Sequence, residues 1–163
     1  MAWTKLKTAA VIGAAVILAA GATTAIIIHH RTHSIFFTSV KELTDRDNAQ
    51  FVQRTGLSPE QAAKSFFDAC SRNDWAETEK YWPPGLLKQH PDFASSFTNN
   101  YGGLKVVSVG KPFRARLVMA GGQEYPGVYV PYEIRLKNGL TRKWQLAIRC
   151  DNLEHQWYWD GGM

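Results

Sequence analysis

Residues 9–28 carry no charge (AAVIGAAVILAAGATTAIII), and the run is bracketed by Lys5 and Lys7 before it and by His29, His30, Arg31 and His33 after it. At about 1.5 Å per residue, a helix of that length covers roughly 30 Å, the hydrocarbon thickness of a bilayer. The pattern predicts a single-pass membrane anchor. A cleaved secretory signal is the rival, with Ala20-Gly21-Ala22 as a small-x-small cleavage site. Cleavage there would leave TTAIIIHH on the mature chain, and the run exceeds the roughly 7–15 residues of a signal's apolar core. The anchor fits better. Lys5 and Lys7 set the short N-terminal tail in the cytoplasm and the rest of the chain outside it, with Arg31 as the opposing charge.

Beyond the run the apolar positions fall at helical spacing. SIFFTSV (34–40) leads out of the expected membrane segment, and Thr44 with Asp47 has the spacing of a capping box that opens a short polar helix to about Arg54. Ser58-Pro59-Glu60-Gln61 is a stronger start: a Ser cap, Pro at the first helical position and Gln at the third. The helix that follows, 59–72, puts Ala62, Ala63, Phe66, Phe67 and Cys70 on one face and is the expected core helix. Short helices are predicted over 75–81 and 91–97, with a single turn over 86–90 between them; Pro83-Pro84-Gly85 stops the first of these.

From Leu104 the period changes from helical to two. LKVVSV and PFRARLVM read as strands around a Gly110-Lys111-Pro112 corner, where the parity of the inward residues changes and a slip by an odd number of residues is predicted. Val128, Val130, Tyr132, Ile134 and Leu136 then alternate with polar positions. Pro131 cannot donate to a ladder, so an edge or a bulge is expected there. A two-residue Asn138-Gly139 loop would set Glu133 against Trp144. A three-residue loop, 137–139, instead pairs Leu136 with Leu140, Tyr132 with Trp144, Val130 with Leu146 and Val128 with Ile148. Its one mismatch is Ile134 opposite Arg142. The three-residue register is the better one. A last strand over 156–160 carries Trp157 and Trp159 on one face. The expected fold class is α+β: a transmembrane helix, then short helices packed on a curved, cone-like antiparallel sheet of four to five strands. The expected divisions are 1–33 for the anchor, 34–57 for a juxtamembrane linker with a short helix, and 58–163 for the domain.

Charge alters this picture little. The net +5 includes Lys5, Lys7 and Arg31, and without them 16 basic residues face 14 acidic ones. A domain so near neutrality has no electrostatic footprint for nucleic acid. Residues 101–163 hold 9 basic against 5 acidic residues, a mild excess in the strand-forming half. Tyr129 and Tyr158 with Arg135, Lys143 and Arg149 fall on the strand face opposite the core, an aromatic-plus-basic surface suited to a protein partner or an anionic ligand. An ordinary amphipathic sheet exterior has the same pattern. Cys70 and Cys150 match neither a metal spacing nor a redox pair, and a Cys70–Cys150 disulfide and two separate buried thiols both fit. His29, His30 and His33 have a spacing that could hold a metal, but no carboxylate accompanies them, so neither metal nor cofactor is expected. Phosphate-binding, zinc-protease and hydrolase motifs are absent from the sequence.

The order of elements, with the rhythm AxxFFxAxxxxDW in AAKSFFDACSRNDWAETEKYW, resembles the nuclear-transport-factor-two-like (cystatin-like, SnoaL-like) superfamily over residues 58–162. The run YPGVYVPYEIRLKNGLTRKWQLAIRCDN with WYWDGG, and the anchor, resemble the tail of some bacterial extracytoplasmic-function sigma factors, although no sigma region precedes the anchor in this sequence. The resemblance implies a bacterial chain and a cone pocket in which enzymes of the superfamily place an acid or base. Asp68, His90, Asp92, Tyr101 and Tyr132 are the residues of the right type, and Tyr132, Asp92 and Tyr101 are the expected pocket lining. No two of them have a spacing that demands acid–base work. The expected function is a membrane-anchored, non-catalytic binding or sensory module in the cell membrane, touching the bilayer through residues 9–28, with a protein partner as one kind of ligand. The alternative is a small-molecule enzyme or carrier built on the cone pocket.

Overall fold

The computed structural model describes residues 24–30, 33–118 and 122–163, with side chains from Phe37 onward. Most of the expected anchor, residues 9–23, lies outside the described residues. Among those described, no helix is long and apolar enough to cross a membrane. Residues 24–28, the end of the expected helix, belong instead to strand β1 (Thr24–His30), which pairs antiparallel with β2 (His33–Glu42).

The described part is α+β. After β1 and β2 come α1 (Asp45–Thr55), α2 (Pro59–Arg72), α3 (Trp75–Glu79), α4 (Leu86–Gln89) and α5 (Phe93–Tyr101). Then follow β3 (Lys105–Val109), β4 (Phe113–Val118), β5 (Glu124–Arg135), β6 (Thr141–Arg149) and β7 (Tyr158–Gly161). The expected order, helices before strands, is corrected by β2. Its residues 36–42 pair with β4, so the segment read as a membrane exit is a strand of the same sheet. Among the described residues seven strands replace the expected four or five, in the order β1-β2-β4-β5-β6-β7 with β3 beside β5. The mistaken reading has a simple cause. SIFFTSV follows the apolar run after only five residues, and period two cannot be told from a helix end over so short a stretch.

The local signals act as their chemistry requires. Thr44 and Asp47 form a reciprocal capping box at α1. At α2, Ser58 Oγ accepts from the Gln61 amide at 3.2 Å and Gln61 Oε1 accepts from the Ser58 amide at 2.8 Å. The predicted face of α2 is buried throughout, with Ala63, Phe67 and Cys70 at 0 % exposure. Phe67 lies 4.8 Å from the Tyr132 ring, and α2 thereby packs on one face of the sheet, here called the inner face.

The β5–β6 register is the three-residue one: Val128 faces Ile148, Val130 faces Leu146, Tyr132 faces Trp144 and Ile134 faces Arg142. Gly139 takes the left-handed conformation (φ 85°) that this turn demands, and the Leu136 amide donates to the Leu140 carbonyl at 2.8 Å. The other edge of β5 is shared by two strands end to end. β3 pairs with residues 132–135 and β4 with 124–129, and the pairing shifts by one residue across the Gly110-Lys111-Pro112 corner. That is the predicted odd slip. It also accommodates Pro131: its carbonyl accepts from the Gly110 amide at 2.7 Å, so its missing donor faces the corner, where no ladder residue stands.

Candidate functional site

Alternation along β5 sets residues 129, 131, 133 and 135 on the outer face, and the registers assign each of them neighbours on both sides. Four cross-strand rows result, about 7 Å apart along the strand. The first is Phe113, Tyr129 and Ala147; the second has Pro131 and Gln145 beside Gly110. The third is Ser108, Glu133 and Lys143; the fourth is Lys105, Arg135 and Thr141.

The first row is covered. Phe37 of β2 lies 4.7 Å from Tyr129 and 5.5 Å from Phe113, and the three form a second apolar cluster with Ala115. Tyr129 folds back along its own strand over Gly127, where a Cβ would come within 3.3 Å of the ring, and its hydroxyl donates to the Tyr125 carbonyl at 2.7 Å. Burial pushes that hydroxyl up to about 12. Tyr129 therefore sits on the predicted face but not on an open one, because β2 closes over it.

The second and third rows are open. They line a cleft of about 370 Å³ bounded by Ser108, Gly110, Pro131, Glu133, Lys143 and Gln145, with the intervening Tyr132 and Trp144 also part of its lining. Lys143 Nζ is 3.0 Å from Glu133 Oε2 at the rim. The Gln145 Oε1 atom is shielded from solvent and accepts no hydrogen bond among the described residues. Gly110 keeps the floor clear: a Cβ there would stand 3.1 Å from the Pro131 Cβ. The fourth row sets Lys105 directly opposite Arg135, both exposed, and no acid shares the row. Like charges so placed repel. Arg149 lies beyond the covered cluster and is 3.8 Å from Asp160.

The inner face holds a second polar group. Arg142, the one mismatch in the predicted register, reaches the Tyr101 hydroxyl, with Nη1 donating to it at 2.8 Å. Tyr132 is 4 % exposed, and its hydroxyl donates to the Gly162 carbonyl at 2.8 Å. Burial raises the Tyr132 hydroxyl, with Tyr101 adding to the shift and Arg142 opposing it. Tyr101 and Tyr132 thus lie near each other, with Arg142 close to both. Asp92 does not join them; it is exposed at the start of α5, where its backbone carbonyl accepts from the Ser95 hydroxyl at 3.0 Å.

Neither the chain's overall similarity nor its cysteines narrow the chemistry further. No family model, curated protein or solved structure matches it. Cys70 and Cys150 are both buried free thiols. Burial pushes the Cys70 thiol up to about 12, against the Thr78 hydroxyl 3.9 Å away, so at neutral pH it is no nucleophile. Among the described residues no group of three metal-ligating side chains converges. Sequence reasoning named Arg135 and Lys143 but missed Ser108, Glu133, Gln145 and Lys105, which become neighbours only through the β3–β5 register. Arg142 was legible: a charge set opposite an apolar residue in an otherwise matched ladder signals a special partner.

Proposed function

We propose that this chain is a non-catalytic binding module held at a membrane, taking its ligand in the outer-face cleft between β3 and β6. The observation that carries this reading is the contrast between the two faces. The inner hydroxyls of Tyr101 and Tyr132 are occupied by Arg142 and Gly162. The outer cleft has room, an unpartnered acceptor in Gln145 and adjacent cations. A cone-like sheet of the nuclear-transport-factor-two-like type is consistent with this arrangement, and the superfamily's pocket at Tyr132 is the rival location for a small-molecule carrier or enzyme.

A screen of small acids, amides and phenols by thermal shift separates the two. Ligands of the module lose their stabilising shift in Ser108→Trp and keep it in Arg142→Ala. Shifts that survive Ser108→Trp and vanish in Arg142→Ala would move the site to the inner face.

The apolar run at 9–28 supports the membrane part of the proposal, with the domain on the outside. Anchor and β1 draw on the same five residues. If 24–28 stay in the sheet, residues 9–23 offer a helix of roughly 22 Å, short of a 30 Å core unless the bilayer thins or flanking residues extend it. Reporters fused after Met163 test the placement: an export-dependent one is expected to be active, and activity of a cytoplasm-dependent one alone contradicts it.

A further inference from the structure

Resting on the outer-face reading, we propose that the cleft ligand is a planar ring acid: a flat apolar body with a carboxylate or similar anion at one end and an O–H or N–H donor at the other. Three features, in order along the strands, specify it. Gln145 Oε1, in the second row, is an acceptor withdrawn from water with no donor among the described residues. Leaving a shielded carbonyl oxygen unpaired is costly, so turning the Gln145 side chain to present it to a ligand donor in the cleft relieves that cost.

The floor between is Pro131, kept bare by Gly110. A rigid ring lies flat on such a surface, and it loses less freedom on binding than a flexible chain. The volume, about 370 Å³, is that of a small-molecule site.

One row past the cleft's own lining stand Lys105 and Arg135, opposed across β3 and β5 with Thr141 completing their row. An anion between them replaces repulsion with two charge-assisted contacts. Lys143 flanks this end but is engaged by Glu133 at 3.0 Å. Glu133 also rejects an anion placed deeper in the cleft, which fixes the orientation: acid toward Arg135, donor toward Gln145. From the Gln145 row to the Arg135 row is roughly 13 Å along the strand, and the long basic side chains shorten the gap a ligand must span.

The probe is 6-hydroxy-2-naphthoate, titrated calorimetrically into the full chain in non-ionic detergent, with detergent alone as the blank. Its methyl ester keeps the ring and the donor but removes the charge; 2-naphthoate keeps the charge but removes the donor; decanoate replaces the ring by an acyl chain. The hydroxy acid is expected to bind one per chain and about tenfold or more tightly than the ester. In the double variant Lys105→Ala/Arg135→Ala the acid falls to the level of the ester, while the thermal melt does not fall. In Gln145→Ala the advantage of the hydroxy acid over 2-naphthoate disappears.

The proposal is overturned if acid and ester bind alike, if the double variant binds the acid as the wild type does, if decanoate binds more tightly than the ring acids, or if no probe binds at millimolar concentration. Ser108→Trp and Gly110→Leu, two separate ways to fill the cleft, distinguish this failure from that of the parent reading. Ester binding abolished by both leaves the outer-face site standing without its anion. Acid binding undiminished in both removes the site as well.

Discussion

Replacing Phe67 by alanine is expected to cost about 3–5 kcal/mol of stability, a large share of what a domain of this size possesses. Phe67 is fully buried, and its ring contacts Tyr132 at 4.8 Å and Phe66 at 5.5 Å. It is the residue through which α2 meets the centre of β5. The surrounding side chains, among them Val130 and Ile134 at 0 % exposure, are held by sheet pairing and cannot close over the space. Urea unfolding should show the midpoint falling with the slope unchanged. A loss below about 1 kcal/mol would mean that α2 does not pack on this face.

The second large effect is expected at Phe37. Its ring is 1 % exposed and meets Tyr129 and Phe113 edge-on at 4.7 and 5.5 Å. Phe37→Ala should cost about 3 kcal/mol, the lower end for such a truncation, because the cluster lies on the outer side of the sheet and is small. It should also expose Tyr129, whose burial depends on the same ring. The pair of effects separates a strand of the domain from a juxtamembrane linker. If residues 34–40 only lead away from a membrane, Phe37→Ala leaves the melting temperature where it was and Tyr129 as inaccessible as before.

The parts of this fold that were legible in the sequence are those fixed by local chemistry. Ser58 and Gln61 cap α2 and Thr44 and Asp47 cap α1 because each box is complete within four residues. The β5–β6 register followed from matching apolar faces around Asn138-Gly139, since a slip of one would have turned every side chain over. What was not legible depended on distant pairing. β2 joins β4 from some seventy residues away, and only that pairing shows that Tyr129 has a cover. The cleft likewise needs Ser108 and Gly110 of the β3 side beside Pro131 and Gln145, a juxtaposition that no spacing within one strand reveals. Asp92 was misplaced for a related reason: the sequence gives it a helix start, and only the fold shows that this start faces solvent.

The outer face of the sheet, and not its interior, is the proposed place of the ligand. Amide chemical shifts recorded while 6-hydroxy-2-naphthoate is added to the isotopically labelled full chain test this placement most directly. The largest changes are expected on Ser108, Gly110, Glu133, Lys143 and Gln145, with Arg135 and Lys105 following, while Tyr101, Arg142 and Gly162 stay unmoved. Changes concentrated at Tyr101, Arg142 and Gly162, with the cleft residues unmoved, would contradict it.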